Sequence, residues 1–208
     1  ILNYINDVDP TLSKKLELKK GKGSIFDEHN IEEQYEKSLK RKVWMKSGAH
    51  LVIEHTEAML VIDVNSGRFI GKKDQEQNSL KINLESAREV ARQLRLRDIG
   101  GLIVIDFIDL QKEVNRKKVF DELKKSLKGD RAKVSLTEFS TFGLLEMTRQ
   151  RIRLNLLHTV SYDCPTCSGL GRIATPDTVL TRLENWLKRF RNNANDRRLS
   201  IMLNKEVL

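Results

Sequence analysis

Two acids stand inside apolar runs: Asp63 in Val61-Ile62-Asp63-Val64-Asn65 and Asp106 in Ile103-Val104-Ile105-Asp106-Phe107. A carboxylate among apolar neighbours is costly unless it finds a partner or its pKa moves. A single acid of this kind is commonly satisfied by an arginine. Two in like settings, in a basic chain, point instead to a shared divalent cation, and hard oxygen ligands on adjacent strand ends suit Mg²⁺. Asn65 lies two residues beyond Asp63, hence on the same strand face, where its amide can hydrogen-bond the carboxylate and fix its orientation. Asp109, three residues after Asp106, is expected on the opposite face in a structural role. A second constellation is Cys164-Pro165-Thr166-Cys167 followed by Ser168-Gly169-Leu170-Gly171, the spacing and glycine-rich turn of a zinc knuckle. Tetrahedral zinc takes four ligands and the chain holds two cysteines. His158 and Asp163 could complete a site locally; a redox pair is the other reading, although no strand-to-helix setting surrounds it.

The elements that must position these residues can be read from periodicity. Leu51-Val52-Ile53 and Ala58 to Val64 read as two strands joined by a tight turn and ending at Asn65-Ser66-Gly67. Leu84, Ala87, Val90, Ala91 and Leu94 recur at helical spacing, predicting a helix over 79–97 that Gly100-Gly101 stops with a left-handed glycine cap. Leu102 to Ile108 has the profile of a buried strand. A helix over 113–128 presents Val119, Phe120, Leu123 and Leu127 on one face and lysines on the other, a pattern that by default is a solvated surface. Further expectations are a strand over 134–139, a helix over 144–157, the knuckle over 162–172, and a helical tail over 178–191. Residues 1–39 are polar and irregular, with one helix over 31–41. The fold class is therefore α/β, a mixed sheet covered by helices with a zinc-knuckle link and a small helical C-terminal piece.

Composition narrows the partners. Among 208 residues, 38 Lys and Arg outnumber 29 Asp and Glu, a net charge of +9. That balance favours a polyanion, nucleic acid before an acidic membrane surface. No apolar run approaches bilayer length, nothing at the N-terminus reads as a signal peptide, and a single Cys pair is no disulfide framework. Transmembrane, collagenous and disulfide-stapled classes are excluded, and a cytoplasmic location is expected. A chain opening on Ile1 reads as a piece of a longer one.

Longer blocks carry a family resemblance. Ile62-Asp63-Val64-Asn65-Ser66-Gly67-Arg68, the run from Arg92 to Asp109, Phe142-Gly143-Leu144-Leu145-Glu146-Met147-Thr148-Arg149-Gln150-Arg151, and Cys164 to Gly169 stand in the order of the ribonuclease E/G catalytic core. The stretch from Trp44 to Arg172 resembles that core. The resemblance implies a DNase-I-like subdomain in which Asp63 and Asp106 bind catalytic Mg²⁺ and Asn65 positions Asp63. It implies endonucleolytic hydrolysis of single-stranded, A/U-rich RNA to 5′-phosphate and 3′-hydroxyl ends. It also implies that Cys164 and Cys167 share one Zn²⁺ with the same pair of a second subunit, giving a homodimer that could pair further into a tetramer.

Arg68 follows the acidic loop closely enough to touch a scissile phosphate, and Lys133 sits where the family often has a basic residue for the RNA 5′-phosphate. Arg149 is expected as a third RNA contact, although on a helix Arg149, Arg151 and Arg153 would spread around the cylinder and some must be salt bridges. Phe139 and Phe142 could stack on bases, but such aromatics are more often core. The family's S1 domain and 5′-sensor loop are absent from this chain, and Ser140-Thr141-Phe142-Gly143 departs mildly from its usual motif. The resulting division is a 5′-sensor or RNase-H-like remnant (1–41), the catalytic subdomain (42–160), a zinc link (161–174) and the start of a small C-terminal domain (175–208). The alternative is a non-catalytic RNA-binding fragment dimerised by zinc; a zinc-ribbon DNA-binding module fits less well, because unmetallated acids repel phosphate.

Overall fold

The expected hairpin forms inside the sheet: β2 (His50–His55) runs antiparallel to β3 (Met59–Asn65), with Val52 opposite Asp63 and His50 opposite Asn65. The computed structural model describes residues 1–19, 23–67, 75–193 and 199–202. Within them the strand order is β1-β2-β3-β4-β6-β5, where β1 is Lys42–Trp44, β4 Gly101–Asp106, β5 Val134–Leu136 and β6 Leu144–Arg149. Only β3 and β4 pair in parallel, as the helical crossover between them requires; every other pairing is antiparallel. The sheet is mixed, as the sequence predicts.

The crossover is α4 (Gln75–Leu96), and α5 (Glu113–Leu127) follows β4. Ala87, Val90, Ala91 and Leu94 of α4 and Val119, Leu123 and Leu127 of α5 bury together with Leu51, Ile53, Leu60, Ile62, Ile103, Ile105, Leu145 and Met147 of the sheet. Each of the Val, Leu, Ile and Met side chains among them contributes roughly 1.5–3 kcal/mol on leaving water. One sheet face is thus filled, giving a two-layer domain, while residues of the other face (Val61, Asp63, Val104, Asp106, Glu146) are exposed or half-buried.

Four expectations change. The stretch predicted as a helix over 144–157 is the strand β6, and only α6 (Leu156–Val160) is helical. Leu145, Met147 and Arg149 are buried while Glu146 and Thr148 are exposed, a period of two that the leucines mask. Edge strand β1 was not predicted, and β5 is shorter than its apolar run. At the end of α4 the left-handed residue is Asp98 (φ 49), not a glycine; the Ile99 N–H closes the turn on the Leu94 carbonyl at 3.0 Å. Gly100 is needed for another reason, since a Cβ there would lie 2.7 Å from Arg151 Cγ.

N-terminal to the sheet come α1 (Leu2–Val8), a 3₁₀ turn (Pro10–Lys15), α2 (Ile25–Glu28) and α3 (Ile31–Leu39), with Ser38 as their only buried residue. Arg97 ties this segment to α4 by donating to the Lys40 carbonyl and to Gln93 Oε1, both at 2.8 Å. Residues 1–160 form one unit and 161–208 another. The second contains the Cys164–Cys167 turn and α7 (Pro176–Asn193), on which Trp186 stacks with Phe190. No helix among the described residues is long and apolar enough to cross a membrane.

Arg149, predicted as an RNA contact, is 5% exposed. Its guanidinium holds Asp130 through Nε at 2.8 Å and Nη2 at 2.9 Å, and donates to the Ile99 carbonyl at 2.8 Å. That fork pins β6 to the turns after α4 and α5, so this residue is spent on the fold. Burial pushes the Asp130 carboxyl up, but hydrogen bonds from Arg149 and the Ala132 N–H outweigh it and hold the group below its ordinary value. A carboxyl with a depressed folded pKa stabilises the fold above its unfolded value and loses that contribution as pH falls through the folded one. Arg149→Ala, which strands a buried charge, should cost about 3–5 kcal/mol in urea denaturation at neutral pH. The stability gap between wild type and Asp130→Asn should narrow as pH falls below the ordinary carboxylate range and through the depressed folded-state value of Asp130.

Candidate active site

Asp63 and Asp106 are register partners on the two parallel strands, so their side chains leave the same open face about 4.8 Å apart in strand spacing. Both stand at the carboxyl ends of these strands, where ligands of α/β sheets bind. The apolar neighbours that define their runs, Ile62, Val64 and Ile105, point to the filled face, and both acids are exposed. Partial burial still pushes the Asp106 carboxyl up, and the charges of Asp63 and Asp109 push it further. Asn65 Nδ2 donates to Asp63 Oδ2 at 2.6 Å, the contact the spacing predicts.

Loop geometry holds this pair. Gly67, at φ +64, closes the loop after β3 against the turn between β1 and β2; a Cβ there would sit 2.5 Å from the Gly48 carbonyl oxygen. Asn83, fully buried on α4, donates to the Ile108 carbonyl at 2.7 Å and accepts from the Ile108 N–H at 3.1 Å. It clamps the segment that follows Asp106. Glu76, at the start of α4, accepts from the Gln111 and Lys112 N–H groups and from Asn115 Nδ2 at 2.7–3.2 Å, anchoring the far end of that segment. Sequence reading missed Asn83, although an amide at the i+3 position from Leu80 on an otherwise apolar arc was the signal. It also misplaced Asp109: β4 ends at Asp106, so strand alternation no longer governs position 109, which is exposed and raises the Asp106 carboxyl.

The other predicted residues are not gathered here. Arg68 lies outside the described residues. Lys133 is exposed, but it precedes β5 beside Gln150, six residues along β6 from Leu144, the partner of Asp106; the separation is roughly 20 Å. Phe139 packs on Phe107 at 5.9 Å and is core, whereas Phe142 is 88% exposed in the turn before β6. Cys164 is exposed and Cys167 half-buried. The Gly171 N–H donates to Cys167 Sγ at 3.3 Å, and backbone N–H groups of Cys167 and Thr166 pull the Cys164 thiol down. The contacts at Cys164 favour its thiolate, the form that binds metal. Among the described residues no group of three or more His, Cys, Asp or Glu is placed to hold a metal. Two carboxylates suffice for Mg²⁺, which keeps waters and takes substrate oxygens, and the crowded charge on Asp106 fits a divalent neighbour.

Fold and site define an α/β domain with a paired-carboxylate face. A family model described as the Ribonuclease E/G family matches residues 1–152, starting before the resemblance read from the motifs and stopping short of the cysteines. The chain is 41% identical to Ribonuclease G of Escherichia coli (strain K12) over 179 residues, 86% of this chain and 37% of that protein. It is 43% identical to Ribonuclease E of the same strain over 170 residues, 82% and 16% of the two chains. Identity to the chloroplastic Ribonuclease E/G-like protein of Arabidopsis thaliana is 40% over 186 residues, 88% and 19%. The chain belongs to the ribonuclease E/G family and spans little more than a third of the length of its ribonuclease G relatives.

Like charges facing each other across two strands are destabilising by a few tenths to about 1 kcal/mol. Asp63→Asn should therefore raise the melting temperature in metal-free buffer, and Mg²⁺ should stabilise wild type more than the variant. A variant that melts lower without metal would show that Asp63 is a structural ion-pair residue.

Proposed function

We propose that this chain carries the catalytic face of a Mg²⁺-dependent endoribonuclease that cuts single-stranded, A/U-rich RNA to 5′-phosphate and 3′-hydroxyl ends in RNA processing and decay. The observation that carries the reading is the register of Asp63 with Asp106 on one open face, in a chain of the ribonuclease E/G family. Asp63 and Asp106 would hold the cation, with Asn65 restraining Asp63 to one orientation. A divalent ion bound there supplies a strong nucleophile from water at neutral pH and neutralises charge on the phosphoryl oxygens. Asn83 and Glu76 keep the segment after Asp106 from collapsing toward Asp63 or swinging away. No side-chain nucleophile is called on. Arg68 is assigned to the scissile phosphate and Lys133 to RNA remote from the cut. The cysteine pairs of two copies would complete one tetrahedral zinc, giving a homodimer; the backbone N–H groups that favour the Cys164 thiolate support it.

A 5′-labelled A/U-rich single strand should be cut by wild type only when Mg²⁺ is present. Asp106→Asn should lower the rate at least about 100-fold, since a metal site supplies several kcal/mol of transition-state stabilisation. The products should be substrates for a 5′-phosphate-requiring exonuclease. RNA bound but uncut with any divalent metal would favour the non-catalytic, zinc-dimerised reading. Metal analysis should find one zinc per two chains, and a zinc chelator or Cys164→Ser should halve the mass measured by light scattering.

A further inference from the structure

The open face does not end at the acids. One row across the sheet reads Lys42, Val52, Asp63, Asp106, Leu144, and the next reads Trp44, His50, Asn65. Trp44, on the edge strand, is 63% exposed, an uncommon state for so large an apolar surface. Its ring leans on His50 with centroids 4.8 Å apart, and Lys42 Nζ sits 4.4 Å from its centroid. Two strand spacings, roughly 10 Å, separate Trp44 from Asn65, the reach of a nucleotide or two. Beyond β1 opens a groove of about 1190 Å³ between α3, β1 and α4, lined in part by Trp44 itself. Lys40, Lys42, Lys46 and Lys81 line it, and among the described residues none of them pairs with a carboxylate. The groove's own acids are engaged, Glu85 with the Lys46 N–H and Glu89 with Arg92 and Gln93.

We propose that the RNA strand leaves the acidic pair across the β1 edge, with an unpaired base stacked on Trp44 and its phosphates following the lysines of this groove. The proposal rests on the endoribonuclease reading and adds a binding subsite to it. The two chemistries select the ligand together. An exposed indole flanked by a cation accepts any unpaired base through its π-face, whereas a duplex keeps its bases stacked inside. Unpaired lysines in a concave track attract successive phosphates. The track also answers a problem the acids create, because two carboxylates alone repel the strand they are to cut. An acidic peptide segment would satisfy the lysines but leave the stacking surface unexplained.

The full chain with Asp106→Asn and Trp186→Phe makes Trp44 its sole tryptophan and leaves RNA intact. Titration with a short A/U-rich single strand should quench its emission saturably, and a duplex of the same sequence should not. Trp44→Ala should weaken binding, followed by anisotropy of a labelled strand, about tenfold, while Trp44→Phe restores most of it. Replacing Lys42, Lys46 and Lys81 with Gln should reduce the salt slope of binding by about two units. With Asp106 restored, Trp44→Ala should raise KM and leave kcat within about twofold. RNA bound without quenching and with unchanged affinity in Trp44→Ala overturns the subsite, as does quenching produced by an acidic peptide in preference to RNA. Those results leave Mg²⁺-dependent cleavage by wild type untouched; loss of that cleavage is the separate failure of the underlying reading.

Discussion

The parallel register of β3 with β4 sets Asp63 beside Asp106, and two like charges a strand spacing apart are unfavourable wherever nothing positive lies between them. Much of the molecule serves to hold that arrangement. The crossover α4 makes the strands parallel and covers their other face, while Asn83 and Glu76, both on α4, fix the segment that leaves Asp106. Gly67 fixes the loop that leaves Asp63 by admitting the Gly48 carbonyl where a side chain would stand. A fold that relaxed the repulsion by letting one acid swing away would give up these contacts.

A single helical layer against the sheet has a second consequence. Apolar side chains at every other position bury against α4 and α5, and the intervening positions remain open as a surface. On that surface run the acids, Asn65, His50, Trp44 and Lys42, so alternation along each strand sorts core from chemistry at single-residue resolution. Burial depresses the proton affinity of His50, and the Lys42 charge depresses it further, against the opposing pull of Asp63. The imidazole is thus neutral beside the tryptophan at neutral pH, leaving Lys42 as the cation of that corner.

Charge on the remaining surface divides by role. Arg97 and Arg149 are buried and hold backbone carbonyls, and Arg149 also grips Asp130. Arg88 and Arg95 latch α4 to α5 through Glu122 and the Ser126 carbonyl. The groove lysines Lys40, Lys42, Lys46 and Lys81 are left for partners. Such a split follows from chemistry: the planar guanidinium satisfies several acceptors at once inside a protein, whereas ammonium is strongly hydrated and stays at the surface.

Strict local patterns carried much of this arrangement on their own. Asp63 and Asn65 two apart on a strand, the hairpin before them, the amphipathic arcs of α4 and α5 and the mixed sheet were all legible, because alternation and helical spacing are properties of neighbouring residues. Tertiary structure decided the rest. β6 looked helical because its leucines carry good helix propensity, and only its burial between β4 and β5 makes period two the favourable choice. Arg149 looked available because nothing in its neighbourhood announces Asp130, nineteen residues earlier in the chain. The register that faces Asp63 with Asp106 and the edge strand that turns Trp44 toward them are long-range facts. They arise from pairings between segments that no local sequence window contains.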